Sequence, residues 1–125
     1  MPESWGEPEW LCASADLREC GDAVMFEVLE NGLSVSAFAV RFRSVAVAYL
    51  NRCAHLPAQM DWQPGRFWDV EGRYIVCAMH GALYDPPDGR CVLGPCRGAH
   101  LTAITLTEKD GQVYWYPSQH LQPVF

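Results

Sequence analysis

The chain has 125 residues, half of them hydrophobic and 19% charged, which fits one folded domain over 1–125 and excludes a disordered chain. Its net charge is −6 and its nine Lys and Arg residues are scattered, so it offers no basic patch for a nucleic-acid backbone. The apolar run VAVAYL at 45–50 is far short of a membrane span, and MPESWGEPEW has neither region of a secretion signal, so the expected location is cytoplasmic. Thiols stay reduced there, so the six cysteines point to metal ligands and ordinary buried thiols, not to a disulfide framework.

Taken in chain order, the predicted elements are almost all β. SADLREC (14–20) allows one short helical turn with Ser14 as its N-cap. AVMFEVL (23–29) and LSVSAFAVRF (33–42) flank Asn31-Gly32, a strong tight-hairpin signal. In the second run Phe38, Val40 and Phe42 alternate with Ala37, Ala39 and Arg41, the period of a strand. VAVAYL (45–50) reads as a strand buried on both faces, and RYIVC (73–77) as another strand. ALYDPPDGRCVL turns at Pro87-Asp88-Gly89 as a hairpin. LTAITLT (101–107) and QVYWYP (112–117) flank EKDG as a last hairpin, and the tail SQHLQPVF is expected to fray. Residues 51–98 hold most of the prolines and several glycines, and read as a loop-built lobe inserted into a β scaffold.

Two mixed pairs fall inside that lobe. Cys53 and His55 are two apart, and Cys77 and His80 three apart, each pair on a short loop leaving a strand. Such loops can aim two thiolates and two imidazoles at one point. One Zn²⁺ takes that set tetrahedrally, and a [2Fe–2S] cluster takes it with thiolates on one iron and imidazoles on the other. Common zinc modules pair like ligands on one loop, whereas a sulfide-bridged iron pair needs each loop to give one ligand to each iron. A thiol catalyst would need one nucleophile and one base, which leaves the second matched pair redundant.

CAHL at 53–56, CAMHGALYD at 77–85 and GPC at 94–96 resemble the Rieske [2Fe–2S] family, and WLCASADL at 10–17 is similar to the opening strand of Rieske-type ferredoxins. The resemblance implies an antiparallel β sandwich or barrel with a small cluster-binding lobe. It implies that Cys53 and Cys77 hold an inner iron and that His55 and His80 hold an outer one near the surface. It also implies one-electron transfer, as a soluble ferredoxin component between a reductase and an oxygenase or related enzyme. Leu56 and Pro95 are expected to cover the cluster, and Cys96 to pack beside it.

Departures from the family pattern narrow the type. The respiratory type carries an extra cysteine in each ligand loop; here Ala58 or its neighbours and Met79 stand there. That type also donates a serine hydroxyl to a bridging sulfide, where this chain has Ala82. Tyr84 is retained, with a hydroxyl able to donate to a cysteine sulfur. Without the serine donor, the expected potential lies toward the low end of the roughly −150 to +300 mV Rieske range. A full oxygenase would need a mononuclear iron on further histidines, and only His100 and His120 remain. The spacer between the pairs carries Trp62, Phe67 and Trp68, as a small core beneath the loop or as a docking surface. Cys12, Cys20 and Cys91 read as small buried hydrophobes. A redox-sensing regulatory domain and a zinc-stabilised binding module are the alternatives.

Overall fold

A computed structural model describes residues 7–52, 60–61, 65–69, 71–77, 81–94 and 97–124. Eleven strands form among them: β1 (Glu9–Ala13), β2 (Val24–Glu30), β3 (Leu33–Phe42), β4 (Val45–Leu50), β5 (Ile75–Cys77), β6 (Ala82–Tyr84), β7 (Cys91–Leu93), β8 (Ala103–Ile104), β9 (Leu106–Lys109), β10 (Gln112–Trp115) and β11 (Leu121–Pro123). They make three antiparallel sheets, in the orders β1-β10-β9, β11-β2-β3-β4-β8 and β5-β6-β7.

The turn chemistry explains the central meander. Asn31 and Gly32 both take positive φ, 51° and 88°, which twists the β2–β3 connection in the hand that its strands need. The β3–β4 turn does the same with Arg43 and Ser44, at φ 51° and 70°, and neither is a glycine. The Glu19 carboxylate accepts the backbone N–H groups of both residues, the Ser44 bond at 2.9 Å, and so offsets the left-handed strain.

The alternation read in β3 sends side chains to two different cores. Ala37 and Ala39, with Ala48 and Leu50 of β4, pack toward Val113 and Trp115 of the β1-β10-β9 sheet. Phe38 and Val40, with Tyr49, pack toward Phe67, Ile75, Cys77 and Tyr84. The central strand is thus covered on both sides, by small residues facing one sheet and large ones facing the other. That is the two-layer logic of a sandwich, with the β5-β6-β7 sheet laid on its back.

Several expectations need correction. β4 is buried on both faces only over Ala48–Leu50; Val45 at its start is 58% exposed. The run at 101–107 is not one strand: it breaks at Thr105, β8 pairing with β4 and β9 with β10, so that the chain crosses between sheets. The tail does not simply fray, because β11 pairs with β2 and buries Leu121, with Pro123 on an edge strand where a missing N–H is tolerated. Ser14 is the first residue of a three-residue 3₁₀ turn, Ser14–Asp16, and not its cap; Ala13 precedes it, and the Asp16 carboxylate accepts the Ala13 N–H at 3.1 Å. The segment between β4 and β8 is built on a three-stranded meander and not on loops alone. Its aromatics Phe67 and Trp68 are packing groups: Phe67 stacks on Phe38 at 3.8 Å, and Trp68 stacks on Phe42 at 5.7 Å while its indole N–H donates to Gly21 O. Trp62 lies outside the described residues.

Candidate metal centre

Cys77 ends β5 with its side chain fully buried, in the same cluster as Met60, Ala82, Tyr84 and Cys91. Its Cα partner across the β5–β6 hairpin is Ala82, and the Gly81 N–H donates to Cys77 O at 2.7 Å. The connection from Cys77 to Ala82 is therefore four residues long and tightly closed, and His80 falls within it in sequence. Cys53, His55, Leu56, His80, Pro95 and Cys96 lie outside the described residues. Among the described residues, Cys77, Ala82 and Tyr84 come together, and no group of three His, Cys, Asp or Glu side chains gathers as a metal site.

Residues on the flanks of 53–59, 78–80 and 95–96 are described, and they come together. Met60, which follows the first stretch, belongs to the Cys77 cluster. Gly94, which precedes the third, packs so closely on β6 that a Cβ there would lie 2.9 Å from Ala82 Cα and 3.1 Å from its Cβ. Ala82 is therefore the point where the second and third loops touch, and a small residue there is a packing need as well as a lost hydroxyl. The turn after Gly94 closes with Arg97 N–H donating to Gly94 O at 3.2 Å. The hairpin below is fixed by Tyr49, whose hydroxyl donates to Pro86 O at 2.5 Å; burial, then Asp88 and Asp85, hold that hydroxyl above its ordinary pKa.

Sequence reasoning missed the residues that hold the first loop. Arg52, immediately before Cys53, forks Glu30 of β2 at 2.6 and 3.0 Å, and these bonds hold the Glu30 carboxyl below its ordinary range. Asn51 and Asp61 bracket the same loop from either side. A polar residue two positions before the first cysteine of the motif was the only signal for Asn51, and nothing marked Asp61.

The donor set fits an iron–sulfur cluster. Cys77, the described residue of the expected set, lies buried among Met60, Ala82 and Tyr84, a setting that suits a thiolate bound to a soft metal. Gly94→Ala tests the packing of the third loop. Its φ of +114° and the Ala82 contact together predict a loss of about 2–4 kcal/mol in denaturant unfolding. Gly98→Ala, at φ +91° with nothing within 4 Å, should lose only the backbone part, about 1–2 kcal/mol. Equal losses would show that the Gly94–Ala82 contact carries no weight.

The described residues define an all-β domain in which a small three-stranded sheet, carrying the buried Cys77, is laid on a larger central sheet. The chain belongs to the Rieske family: the Rieske [2Fe-2S] domain model matches residues 7–120. Its cofactor is a [2Fe–2S] cluster and its function is one-electron transfer through it, as the paired motif implied. The fold is similar to that of the ferredoxin of carbazole 1,9a-dioxygenase from Nocardioides aromaticivorans IC177, with TM-score 0.70 and 21% identity over 90% of this chain and all of that one. It is similar to the Sphingomonas yanoikuyae B1 ferredoxin, with TM-score 0.64 and 20% identity over 90% of this chain and all of that one. A third likeness is to a chain in the complex of reduced oxygenase and oxidized ferredoxin in carbazole 1,9a-dioxygenase, with TM-score 0.65 and 21% identity over 87% of this chain and 92% of that one. No curated protein sequence matches the chain. Among the described residues no helix is long and apolar enough to cross a membrane.

Proposed function

We propose that the chain is a cytoplasmic ferredoxin that carries single electrons from a reductase to an oxygenase, as one domain over 1–125 with its cluster lobe at about 51–98. Cys53 and Cys77 hold the inner iron, and His55 and His80 the outer. When bound, a [2Fe–2S] cluster supplies one reversible electron at a potential that its ligands and their hydrogen bonds set. The observation that carries this reading is Cys77, fully buried at the end of β5 and paired with Ala82, with the second histidine of the motif between them in sequence.

Each residue then has a physical task. The buried sulfur at Cys77 keeps water from the inner side. Neutral imidazoles at His55 and His80 leave the outer side less negative than thiolates would and give the electron a short exit. Leu56 and Pro95 cover the site, with Cys96 beside it. Ala82 provides no hydroxyl donor, so the potential falls in the lower part of the family range, and Tyr84 offsets part of that loss. The likeness to a dioxygenase ferredoxin over that protein's whole length supports a separate carrier role. The net charge of −6 suits docking on a basic patch of a redox partner.

The test is the EPR spectrum of the reduced, purified protein. Mixed nitrogen and sulfur ligation lowers the average g relative to an all-cysteine cluster. A colourless protein with one zinc per chain would overturn the reading. Reconstituted turnover with a reductase and an oxygenase should require the chain; turnover at the same rate without it would remove the carrier role.

A further inference from the structure

Asn51 is the one buried residue with a polar amide or charged side chain among those described, at 5% exposure. Its Oδ1 accepts the Met60 N–H at 2.8 Å, and its Nδ2 donates to Asp61 Oδ1 at 2.8 Å. The other carboxylate oxygen, Asp61 Oδ2, accepts the Gly65 N–H at 3.0 Å. Asn51 itself is pinned to β3 through its N–H to Ser36 O at 2.8 Å. Asn51 and Met60, which stand on either side of residues 52–59 in sequence, are thus held together by a polar clip. That stretch contains Cys53 and His55.

We propose that Asn51 and Asp61 are positioning residues for the first ligand loop, fixing its two ends so that Cys53 and His55 meet the metal without a search. This rests on the ligand assignment above. A loop whose ends wander loses entropy on binding metal, and a loop with pinned ends has already lost it. An apolar contact could close the base, but it would not fix register, because only directional bonds select one backbone position.

The bond pattern has a built-in rescue. In Asn51→Asp two carboxylates face each other, and the Asp61 oxygen loses its donor. In Asp61→Asn two amide N–H groups face each other, or a flipped Asn51 abandons the Met60 N–H. The exchange Asn51→Asp with Asp61→Asn restores every bond: position 51 accepts from Met60 N–H and from the new amide, whose oxygen accepts from Gly65 N–H. Net charge is unchanged.

The holoproteins are compared by cluster release to an iron chelator and by the EPR line shape of the reduced form. Each single variant should release its cluster about tenfold or more faster, the effect expected for a buried hydrogen bond with a charged partner, and should broaden or shift the signal. The exchange variant should return the release rate to within about twofold of wild type, roughly a third of that loss in free energy, and restore the line shape. Release as fast in the exchange variant as in the singles overturns the proposal. So do singles that lower the unfolding temperature while leaving release and line shape unchanged, since the clip would then be an ordinary brace. If the singles do not fold, a folded exchange variant with wild-type release supports the clip, and an unfolded one overturns it. His55→Cys keeps the two failures apart. An unchanged potential there removes the ligand assignment and the clip together, whereas a lowered potential with wild-type release in the singles removes the clip alone.

Discussion

His80→Cys retains an iron–sulfur cluster and lowers its reduction potential by on the order of 200 mV or more, toward the roughly −400 mV of all-cysteine plant-type ferredoxins. The cause is charge. A neutral imidazole becomes a thiolate, and each added negative charge disfavours the further negative charge that reduction brings. On the proposed ligand set the substitution leaves the Cys77–Ala82 pairing and the Gly81 N–H to Cys77 O bond in place, which is why loss of the cluster is not the expected result. His100→Cys is the control. His100 is exposed on an isolated bridge with Arg90, so its replacement leaves the potential where it was. Protein-film voltammetry measures both. A potential in His80→Cys equal to that of wild type would mean that His80 is not a ligand.

What the sequence made legible follows from the range over which each signal acts. The family was readable because its paired motifs are local: each cysteine and histidine stand two or three positions apart. Hairpins at Asn31-Gly32 were readable because positive φ selects residue types. Arg43-Ser44 was not, because its strain is compensated by Glu19, a residue distant in sequence, and no local pattern records that. The break at Thr105 was hidden for a related reason. In LTAITLT only the adjacent Ala103 and Ile104 interrupt the alternation, and the change of sheet depends on which neighbours β4 and β10 offer. β11 was hidden because Pro123 and the polar residues around it suit an edge strand as well as a tail. At the site, Asn51 and Asp61 were invisible because a buried amide gains its meaning only from the backbone groups it meets. The aromatic spacer was legible as either packing or docking, and only the partner ring decides: Phe38 lies directly against Phe67.

That partner ring sets the second large effect. Phe67 is 1% exposed, its ring parallel to Phe38 within 11°, and its carbonyl accepts the Val76 N–H at 2.7 Å. It therefore holds β5, the strand that ends in Cys77, against β3. Phe67→Ala removes the ring and leaves a cavity between sheet and lobe, at about 3–5 kcal/mol. Domains of this kind have roughly 5–15 kcal/mol in all, so the expected fall in unfolding temperature is about 10–20 °C. Phe67→Leu should recover more than half of it by refilling the space. Because the ring joins the two sheets, Phe38→Ala should cost a similar amount, and the double variant less than the sum, since the second truncation removes half of a contact already gone. The lobe should loosen before the scaffold melts. Cluster absorbance in Phe67→Ala is then lost at a lower temperature than the far-ultraviolet β signal, while in wild type the two transitions coincide more closely. Simultaneous loss of both signals, or a fall of less than about 3 °C, would mean that the lobe is anchored elsewhere, with Trp68 on Phe42 the next contact to remove.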